Sequence, residues 1–273
     1  MTLEDHVGDI IRKTRQAAEI SVSQAAQAAG IIPADLANLE ESGLFSRTVN
    51  FEALAKLLGL DGPKLVGIAH GWQPQPVDLS LWRHLQRIST TQDGHAVNAY
   101  LVWDTITREG ALFDTGWDAT PVLALLREKQ VSLEHIFITH DHTDHVAALA
   151  EIRQRCAGAQ LHDNNPAIPS RRKKEPDDSI RLGHLHITKR ATPGHSEDGT
   201  TYIVSGFPYT TASAAVVGDC IFAGSIGRGF QSLELLRRSV REQILSLPPS
   251  TLLCPGHGPL TTVKEELEHN PFC

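Results

Sequence analysis

The stretch Thr139-His140-Asp141-His142-Thr143-Asp144-His145 decides the fold and the chemistry expected of this chain, because it places three imidazoles and two carboxylates within six positions. It follows the apolar run 136–139, which is typical of a buried strand. Burying so many polar groups without partners would cost several kcal/mol each, whereas imidazole nitrogens and carboxylate oxygens are good ligands for divalent metal ions. With His140 as position i, the residues at i and i+2 can point to one ion while those at i+4 and i+5 reach another. The stretch therefore predicts a loop that binds two metal ions.

Three polar residues occupy the same kind of position later in the chain. His195, Asp219 and His257 each follow a strand-like run, and a glycine precedes each of them. Polar residues that follow strands can meet at one edge of a sheet, so we expect these three to join the loop at 139–145. His257 taken alone is better explained as a surface histidine in a turn. Because the same position after a strand recurs three times, chance placement in surface turns is a poor explanation for the three residues together.

The segment after residue 78 alternates short apolar runs with helical patterns, which predicts an α/β fold. Helices are expected over 121–129 and 146–156. Strands are expected over 99–103, 110–114, 136–139, 184–188, 201–204, 215–218 and 251–254. The charged run 171–178 is predicted to be a solvated loop without a function.

Residues 1–70 show only helical patterns, over 10–19, 22–29, 33–40 and 51–58. Gly30, Gly43 and Gly59 stand where these helices should end, and Ser23 is expected to cap the second helix. Two prolines in the segment 71–76 break the pattern. We therefore predict a small all-α domain at 1–70, a linker at 71–79 and an α/β domain at 80–273.

Composition excludes several classes of protein. With 273 residues, 41% hydrophobic and 21% charged, the chain is unlike disordered, collagenous or coiled-coil sequences. No signal-peptide pattern and no run of roughly 18 apolar residues is present, so a cytoplasmic protein without a membrane partner is expected. The four cysteines form no C-x-x-C pair, and the net charge of −7 disfavours nonspecific binding to nucleic acid.

The loop resembles the H-x-H-x-D-H signature of the metallo-β-lactamase superfamily. The segments 192–195, 218–219 and 256–257 resemble its later motifs in the same order, and the resemblance covers residues 85–273. It implies a four-layer αββα sandwich. It also implies that His140, His142 and His195 bind a first metal, that Asp144, His145 and His257 bind a second, and that Asp219 bridges both. The segment 113–116 resembles the family's D-T-G turn, in which Asp114 would support a ligating histidine from behind.

Two further segments are similar to the glyoxalase II-like branch of that superfamily. Residues 218–228 resemble its G-D-x-L-F-x-G-S-x-G-R string, and residues 256–272 resemble its C-terminal stretch. The chain departs from the branch at 229–231, where many relatives have an acidic residue. It also offers no residues after 273 for a helical glutathione-binding domain, so the sequence leaves the acyl substrate open.

The expected cofactors are two divalent metal ions, with zinc preferred and iron or manganese as alternatives. Such ions lower the pKa of a bridging water from about 15.7 towards roughly 7, which supplies hydroxide for attack on a carbonyl. Asp144 and Asp219 are the expected catalytic carboxylates, since Asp144 could orient that hydroxide or accept its proton. A thiolate leaves readily, so a small ester or thioester is the expected substrate. Arg228 could hold a carboxylate or phosphate of the substrate, or brace its own loop through an ion pair.

A rival enzyme class of the glyoxalase II-like branch uses the same scaffold with a single iron. Its persulfide dioxygenases hold one iron through two histidines and an aspartate, here His140, either His195 or His142, and Asp219. Spacing alone does not separate the two activities. The complete second set of ligands favours hydrolysis.

Residues 8–60 resemble the Cro/C1-type helix-turn-helix family. The third helix offers only Asn38 and three acids to DNA, and residues 1–70 carry six basic and nine acidic side chains. DNA binding is therefore disfavoured. We expect these helices to mediate a homodimer or to cover the substrate; the rival hypothesis is a DNA-binding regulator whose metal domain senses a metabolite.

Overall fold

Two β-sheets pack face to face in the computed structural model, which describes residues 2–46, 48–163 and 179–273. The charged run 171–178 lies outside the described residues. The strands are Leu85–Gln92 (β1), His95–Trp103 (β2), Glu109–Phe113 (β3), Ser132–Phe137 (β4), Gln160–His162 (β5), Ile180–Leu182 (β6), Leu185–Ala191 (β7), Thr200–Ser205 (β8), Ala214–Gly218 (β9), Ile221–Phe222 (β10), Ser225–Ile226 (β11), Leu252–Pro255 (β12) and Thr261–Thr262 (β13).

Helices flank the sheets and make up the N-terminal part of the chain. They are Val7–Ala17 (α1), Val22–Ala29 (α2), Pro33–Ser42 (α3), Phe51–Leu58 (α4), Gly62–Ala69 (α5), Ala119–Lys129 (α6), Thr143–Val146 (α7), Leu149–Arg155 (α8), Leu233–Ser239 (α9) and Val263–His269 (α10). A 3₁₀ turn covers Leu79–Trp82, and a π-helical turn, Val240–Ile244, continues α9. Within the described ranges, none of the helices combines the length and the apolar character that a membrane span requires.

The first sheet has the order β1-β2-β3-β4-β5, antiparallel from β1 to β3 and parallel from β3 to β5. Residues 97–103 of β2 are buried on both faces, which is typical of a central strand. On the outer face, Leu112 and Ile136 belong to one core cluster with Val122 of α6 and Ile152 of α8. Two helices therefore form the first outer layer.

The second sheet has the order β13-β12-β9-β8-β7-β6, and β9 pairs with β12 in parallel. The interface between the sheets is aromatic and aliphatic, with Tyr100 and Phe113 from the first sheet clustered with Tyr202 and Val216 from the second. Burial of each such side chain contributes about 1.5–3 kcal/mol. This interface fixes the ends of both sheets relative to one another.

The N-terminal helices cover the outer face of the second sheet. Ile10, Leu54 and Leu65 share a core cluster with Val217 and Leu253 of that sheet, and α9 and α10 complete the layer. The order helix, sheet, sheet, helix matches the expected four layers. Residues 73–78, without regular secondary structure, connect α5 with the rest of the chain.

The helix ends follow local signals in the sequence. Gly30, Gly43 and Gly59 end α2, α3 and α4 with left-handed φ angles of 70°, 72° and 66°, as predicted. The cap of α2 is Ser21 and not Ser23, so that prediction was wrong. Ser21 Oγ accepts a hydrogen bond from the backbone N–H of Gln24, whose side chain accepts one from Ser21 in return. The capping box requires a three-residue spacing, which only Ser21 provides.

Candidate metal centre

The seven residues implied as metal ligands meet where strands of both sheets end. The segment after β4 supplies His140 and His142 ahead of α7 and Asp144 and His145 on α7. His195 follows β7, Asp219 follows β9 and His257 follows β12. They form two groups, and within each group one candidate ligand atom per residue lies within 4.8 Å of the others. The first group is His140, His142, His195 and Asp219, and the second is Asp144, His145 and His257.

Asp219 stands between the two groups. Its Oδ1 lies 3.3 Å from His145 Nε2, and its Oδ2 lies 3.3 Å from His257 Nε2, both in the second group. The same Oδ2 is 3.6 Å from His195 Nε2 and 4.0 Å from His140 Nε2 in the first group. One carboxylate thus borders both groups, which is the position that a bridging ligand requires.

A buried carboxylate and a hydroxyl orient two of the imidazoles. Asp114 Oδ2 accepts hydrogen bonds from His145 Nδ1 and from Thr139 Oγ1, each at 2.8 Å. Because the Thr139 hydroxyl donates its only proton to Asp114, it must accept the 3.0 Å bond from His140 Nδ1. In the neutral state both histidines therefore carry the proton on Nδ1 and offer the Nε2 lone pair to the centre.

Backbone carbonyls orient two more imidazoles in the same way. His195 Nδ1 donates to the carbonyl of Arg228 at 2.8 Å, and His257 Nδ1 donates to that of Ala96 at 2.6 Å. Each neutral ring again presents Nε2 to the centre. His142 differs, since its Nδ1 lies 3.1 Å from His140 Nε2 and 3.0 Å from His195 Nε2.

The second group holds protons tightly in the protein without metal. Burial opposes protonation of His145, but the charges of Asp219 and Asp114 outweigh it and raise its pKa to about 10. Burial also opposes protonation of His257, yet Asp219 and Asp144 raise its pKa to about 11. Burial would raise the pKa of Asp219, but these two histidines hold it well below the usual value. The second group is therefore an ion-paired cluster that a metal would have to deprotonate.

The first group behaves in the opposite way. Burial lowers the pKa of His140 far below its usual value, and it lowers that of His195 as well. Both rings are neutral at pH 7 and have lone pairs available.

The residues present fit metal ions. His145 Nε2 and Asp219 Oδ1 are buried, and although they lie 3.3 Å apart neither makes a well-aligned hydrogen bond, which is costly unless another ligand satisfies them. A Cβ at Gly256 would overlap Asp219 Oδ1 and lie 2.6 Å from His145 Cε1, so only glycine leaves this space open. Five imidazoles and two carboxylates in two groups match the ligand preferences of zinc and its neighbours.

Arg228 and Phe230 lie at the rim beside the first group. The Arg228 side chain is exposed, and its guanidinium carbon lies 5.8 Å from the centre of the Phe230 ring. In the described part of the chain Arg228 forms no ion pair, so a bracing pair is not seen there. Phe230 is 63% exposed, and its ring centre lies 5.4 Å from that of His195. A role for Arg228 in substrate binding stays a prediction.

Several supporting groups escaped the sequence analysis. Thr139 couples Asp114 to His140, and its position just before the first histidine was the only available signal. The carbonyls of Ala96 and Arg228 carry no signal at all, because every residue has a carbonyl.

Comparison with protein families gives one match, to the metallo-beta-lactamase superfamily over residues 93–257. The chain is 32% identical over 187 residues to the probable metallo-hydrolase YqgX of Bacillus subtilis, covering 59% of this chain and 85% of that protein. It is 35% identical over 164 residues to a hydroxyacylglutathione hydrolase of Cereibacter sphaeroides, covering 58% of this chain and 61% of the relative. It is 31% identical over 181 residues to the human mitochondrial persulfide dioxygenase ETHE1, covering 63% and 69%.

Solved structures give the same fold. The BLEG-1 B3 metallo-beta-lactamase aligns with a TM-score of 0.59 and 27% identity, over 69% of this chain and 98% of that one. TTHA1623 in a di-iron-bound form aligns with a TM-score of 0.53 and 27% identity, over 68% of this chain and all of that one. These matches leave the N-terminal helices outside the family region.

Proposed function

Because the chain belongs to the metallo-β-lactamase superfamily, we propose that it is a hydrolase that binds two divalent metal ions and cleaves a small ester or thioester. The observation that carries this proposal is the place of Asp219, whose two oxygens border both groups of candidate ligands. The similarity to YqgX and to the hydroxyacylglutathione hydrolase supports hydrolysis. The chain spans 61% of the length of that hydrolase. Because the relative is named for a glutathione thioester substrate, glutathione thioesters are one candidate class of substrate for this chain.

The two groups divide the work of holding the ions. His140, His142 and His195 would hold one ion, Asp144, His145 and His257 the other, and Asp219 both. Zinc is preferred for this set of nitrogen and oxygen ligands, and iron or manganese are the alternatives. When bound, such ions supply Lewis acidity and lower the pKa of water enough to provide a nucleophile at neutral pH.

Asp144 is the residue that we assign to proton transfer. Its side chain is 22% exposed, and its Oδ2 lies 3.2 Å from His257 Nε2. Burial alone would raise the pKa of Asp144, but the bond from His257 lowers it below the usual value. Asp144 is thus an ionised carboxylate at neutral pH, open to the rim of the site, and it can orient a water molecule and accept its proton.

A second candidate activity is iron-dependent persulfide dioxygenation. The similarity to ETHE1 favours it, because the first group alone contains histidines and an aspartate. The complete second group supports hydrolysis instead, since a single iron in the first group would leave Asp144, His145 and His257 without a metal ion to bind.

For the N-terminal helices we propose a Cro/C1-type helix-turn-helix arrangement that serves dimerisation and does not bind DNA. The exposed part of α3 includes Glu41 but no lysine or arginine, which is unfavourable for phosphate contacts. Sedimentation of the purified chain should give the mass of a dimer. A gel shift with its own upstream DNA at physiological salt should give no specific complex.

The proposed activity is tested with a panel of acyl thioesters, esters and lactones on protein loaded with zinc or with iron. We expect turnover of at least one member, and a loss of about 100-fold or more in Asp219→Ala. His95→Ala, which changes an exposed histidine on β2, is the control and should retain full activity. Oxygen uptake with glutathione persulfide on the iron-loaded protein, without hydrolysis of any panel member, would refute the hydrolase and establish the second candidate.

A further inference from the structure

An exposed aromatic ring lies against the candidate metal centre. Of the phenylalanine, tyrosine and tryptophan side chains in the described residues, Phe230 has the largest exposed fraction, 63%. Its ring centre lies 5.4 Å from that of His195 and 5.8 Å from that of His142, whose ring plane it meets at 81°. Single exposed apolar side chains are common and need no explanation by themselves. This ring, however, borders two candidate ligands of the same ion.

Hydrogen bonds hold the turn that carries Phe230 against the loop that carries His195. The carbonyl of Arg228 accepts a hydrogen bond from His195 Nδ1 at 2.8 Å and another from the backbone N–H of Phe230 at 2.9 Å. The carbonyl of Gly194 accepts from the backbone N–H groups of the two residues that follow Phe230, at 3.1 and 3.2 Å. The chain therefore fixes the backbone beneath an apolar ring and leaves the ring itself open to solvent.

The ring and the arginine beside it define the chemistry of this part of the rim. The guanidinium carbon of the exposed Arg228 side chain lies 5.8 Å from the centre of the Phe230 ring. Gly229 and Gln231, the residues on either side of Phe230, carry no charge. Aromatic groups pack well on a phenylalanine ring and also stack on a guanidinium plane, whereas a cationic group is repelled by the guanidinium. This part of the rim therefore favours a flat apolar group.

We propose that Phe230 forms an apolar subsite that selects substrates with a hydrocarbon group, above all an aromatic one, close to the carbon that reacts. This inference rests on the proposed function and narrows its substrate class. Because Phe230 borders His142 and His195, a substrate held at the first group brings its neighbouring atoms beside the ring. Full burial of one CH₂ group favours binding by about fourfold, so a phenyl group that covers the ring is worth about tenfold or more.

The test measures binding, so it does not depend on turnover. Two pairs of metal-binding compounds are titrated calorimetrically into the zinc-loaded full chain, and the members of each pair differ by one phenyl group. Acetohydroxamate and phenylacetohydroxamate represent the acyl side of a substrate, and ethanethiol and 2-phenylethanethiol represent the leaving-group side. The wild type should prefer the phenyl member of at least one pair by about tenfold or more. The pair that shows the preference assigns the ring to one side of the substrate.

Variants of Phe230 then show whether the ring causes that preference. Phe230→Ala should reduce the preference by about three- to tenfold and leave the affinity for the small member within about twofold of wild type. Tyr209→Ala is the matched control, because Tyr209 is 54% exposed and also lies beside an arginine, with the Arg83 guanidinium carbon 4.8 Å from its ring centre. This control should keep the wild-type preference.

A preference in Phe230→Ala within about twofold of wild type would overturn the inference, and so would a wild type that prefers neither phenyl compound. An equal loss of affinity for both members of a pair would also overturn it, because the ring would then only support the metal ligands. If Phe230→Ala does not fold, Phe230→Gln, which keeps much of the side-chain bulk without the ring, decides by the same criterion. Turnover of the ester panel with an unchanged preference would refute only the subsite. A reduced preference without turnover would refute only the hydrolase.

Discussion

Replacing Asp114 by asparagine tests how the ligands of the metal centre are oriented. Asp114 is 1% exposed and accepts three hydrogen bonds of 2.8 Å, two on Oδ2 from His145 Nδ1 and Thr139 Oγ1, and one on Oδ1 from the backbone N–H of Thr139. A carboxylate accepts all three, whereas an amide has one acceptor and two donors. The backbone N–H of Thr139 cannot reverse its role, so the amide oxygen must stay at the Oδ1 position. The amide nitrogen then takes the place of Oδ2.

That exchange reverses the tautomers of two ligands. His145 Nδ1 must now accept, which moves its proton to Nε2, where a metal ion would bind. The Thr139 hydroxyl must also accept from the amide, and its freed proton turns to His140 Nδ1, which reverses this ring too. Loss of such a supporting partner lowers metal affinity by about 10–100-fold, or about 1.4–2.8 kcal/mol, at each ion.

The assay is calorimetric titration of zinc into chelator-treated protein. Asp118→Asn is the matched control, because Asp118 is the exposed N-cap of α6 and asparagine caps helices equally well. We expect two weakened binding steps in Asp114→Asn and wild-type binding in the control. Wild-type affinities for both ions in Asp114→Asn would refute the proposed role of these hydrogen bonds.

Three other perturbations test separate parts of the structure. Gly256→Ala places a methyl group against two candidate ligands and should lower zinc affinity about 100-fold, whereas Gly158→Ala, whose Cβ would meet nothing within 4 Å, should titrate like wild type; equal affinities would contradict the close packing. Lys13→Met removes a buried ammonium and leaves the partly buried Asp5 carboxylate unpaired, so it should lower the free energy of unfolding in urea by about 3 kcal/mol. Arg12→Met at a more exposed ion pair should lower it by less than about 1 kcal/mol, and similar losses in both variants would contradict a stabilising role for the buried pair. In metal-free protein the raised pKa values of His145 and His257, about 10 and 11, stabilise the fold fully below about pH 6.5 and lose this effect as pH rises through them. The melting temperature followed by circular dichroism should therefore fall from pH 7 to 10 without metal but not with zinc, and a constant value without metal would contradict the ion-paired cluster.

The convergence of the candidate ligands could be anticipated because each lies just after an apolar run. His195, Asp219 and His257 gave the same local signal, and strands that share a sheet bring their ends together. The groups behind the ligands could not be anticipated in the same way. The carbonyl of Ala96 binds His257 only because β2 lies beside that loop in the folded chain, and no residue type encodes such a contact.

The packing of the N-terminal helices on the second sheet was the largest part of the fold that the sequence did not predict. The apolar faces of α1, α4 and α5 have the same periodicity whether they pack on one another or on a sheet, so the sequence could not reveal that they share a core with Val217 and Leu253. Lys13 is one of the six basic side chains counted in residues 1–70, and nothing in the sequence shows that the structure buries it against Ser225 and Ile226. Among the caps, Ser21 and Ser23 differ only in their distance to Gln24, and the capping box selects Ser21.

The central claim is that one carboxylate joins two groups of metal ligands, and its most direct test is the zinc content of the purified chain by elemental analysis, beside that of Asp219→Ala. We predict about two ions per wild-type chain and a clear loss of bound zinc in the variant. A wild type that retains no ion after zinc loading, or an Asp219→Ala variant that retains both with unchanged affinity, would contradict the account.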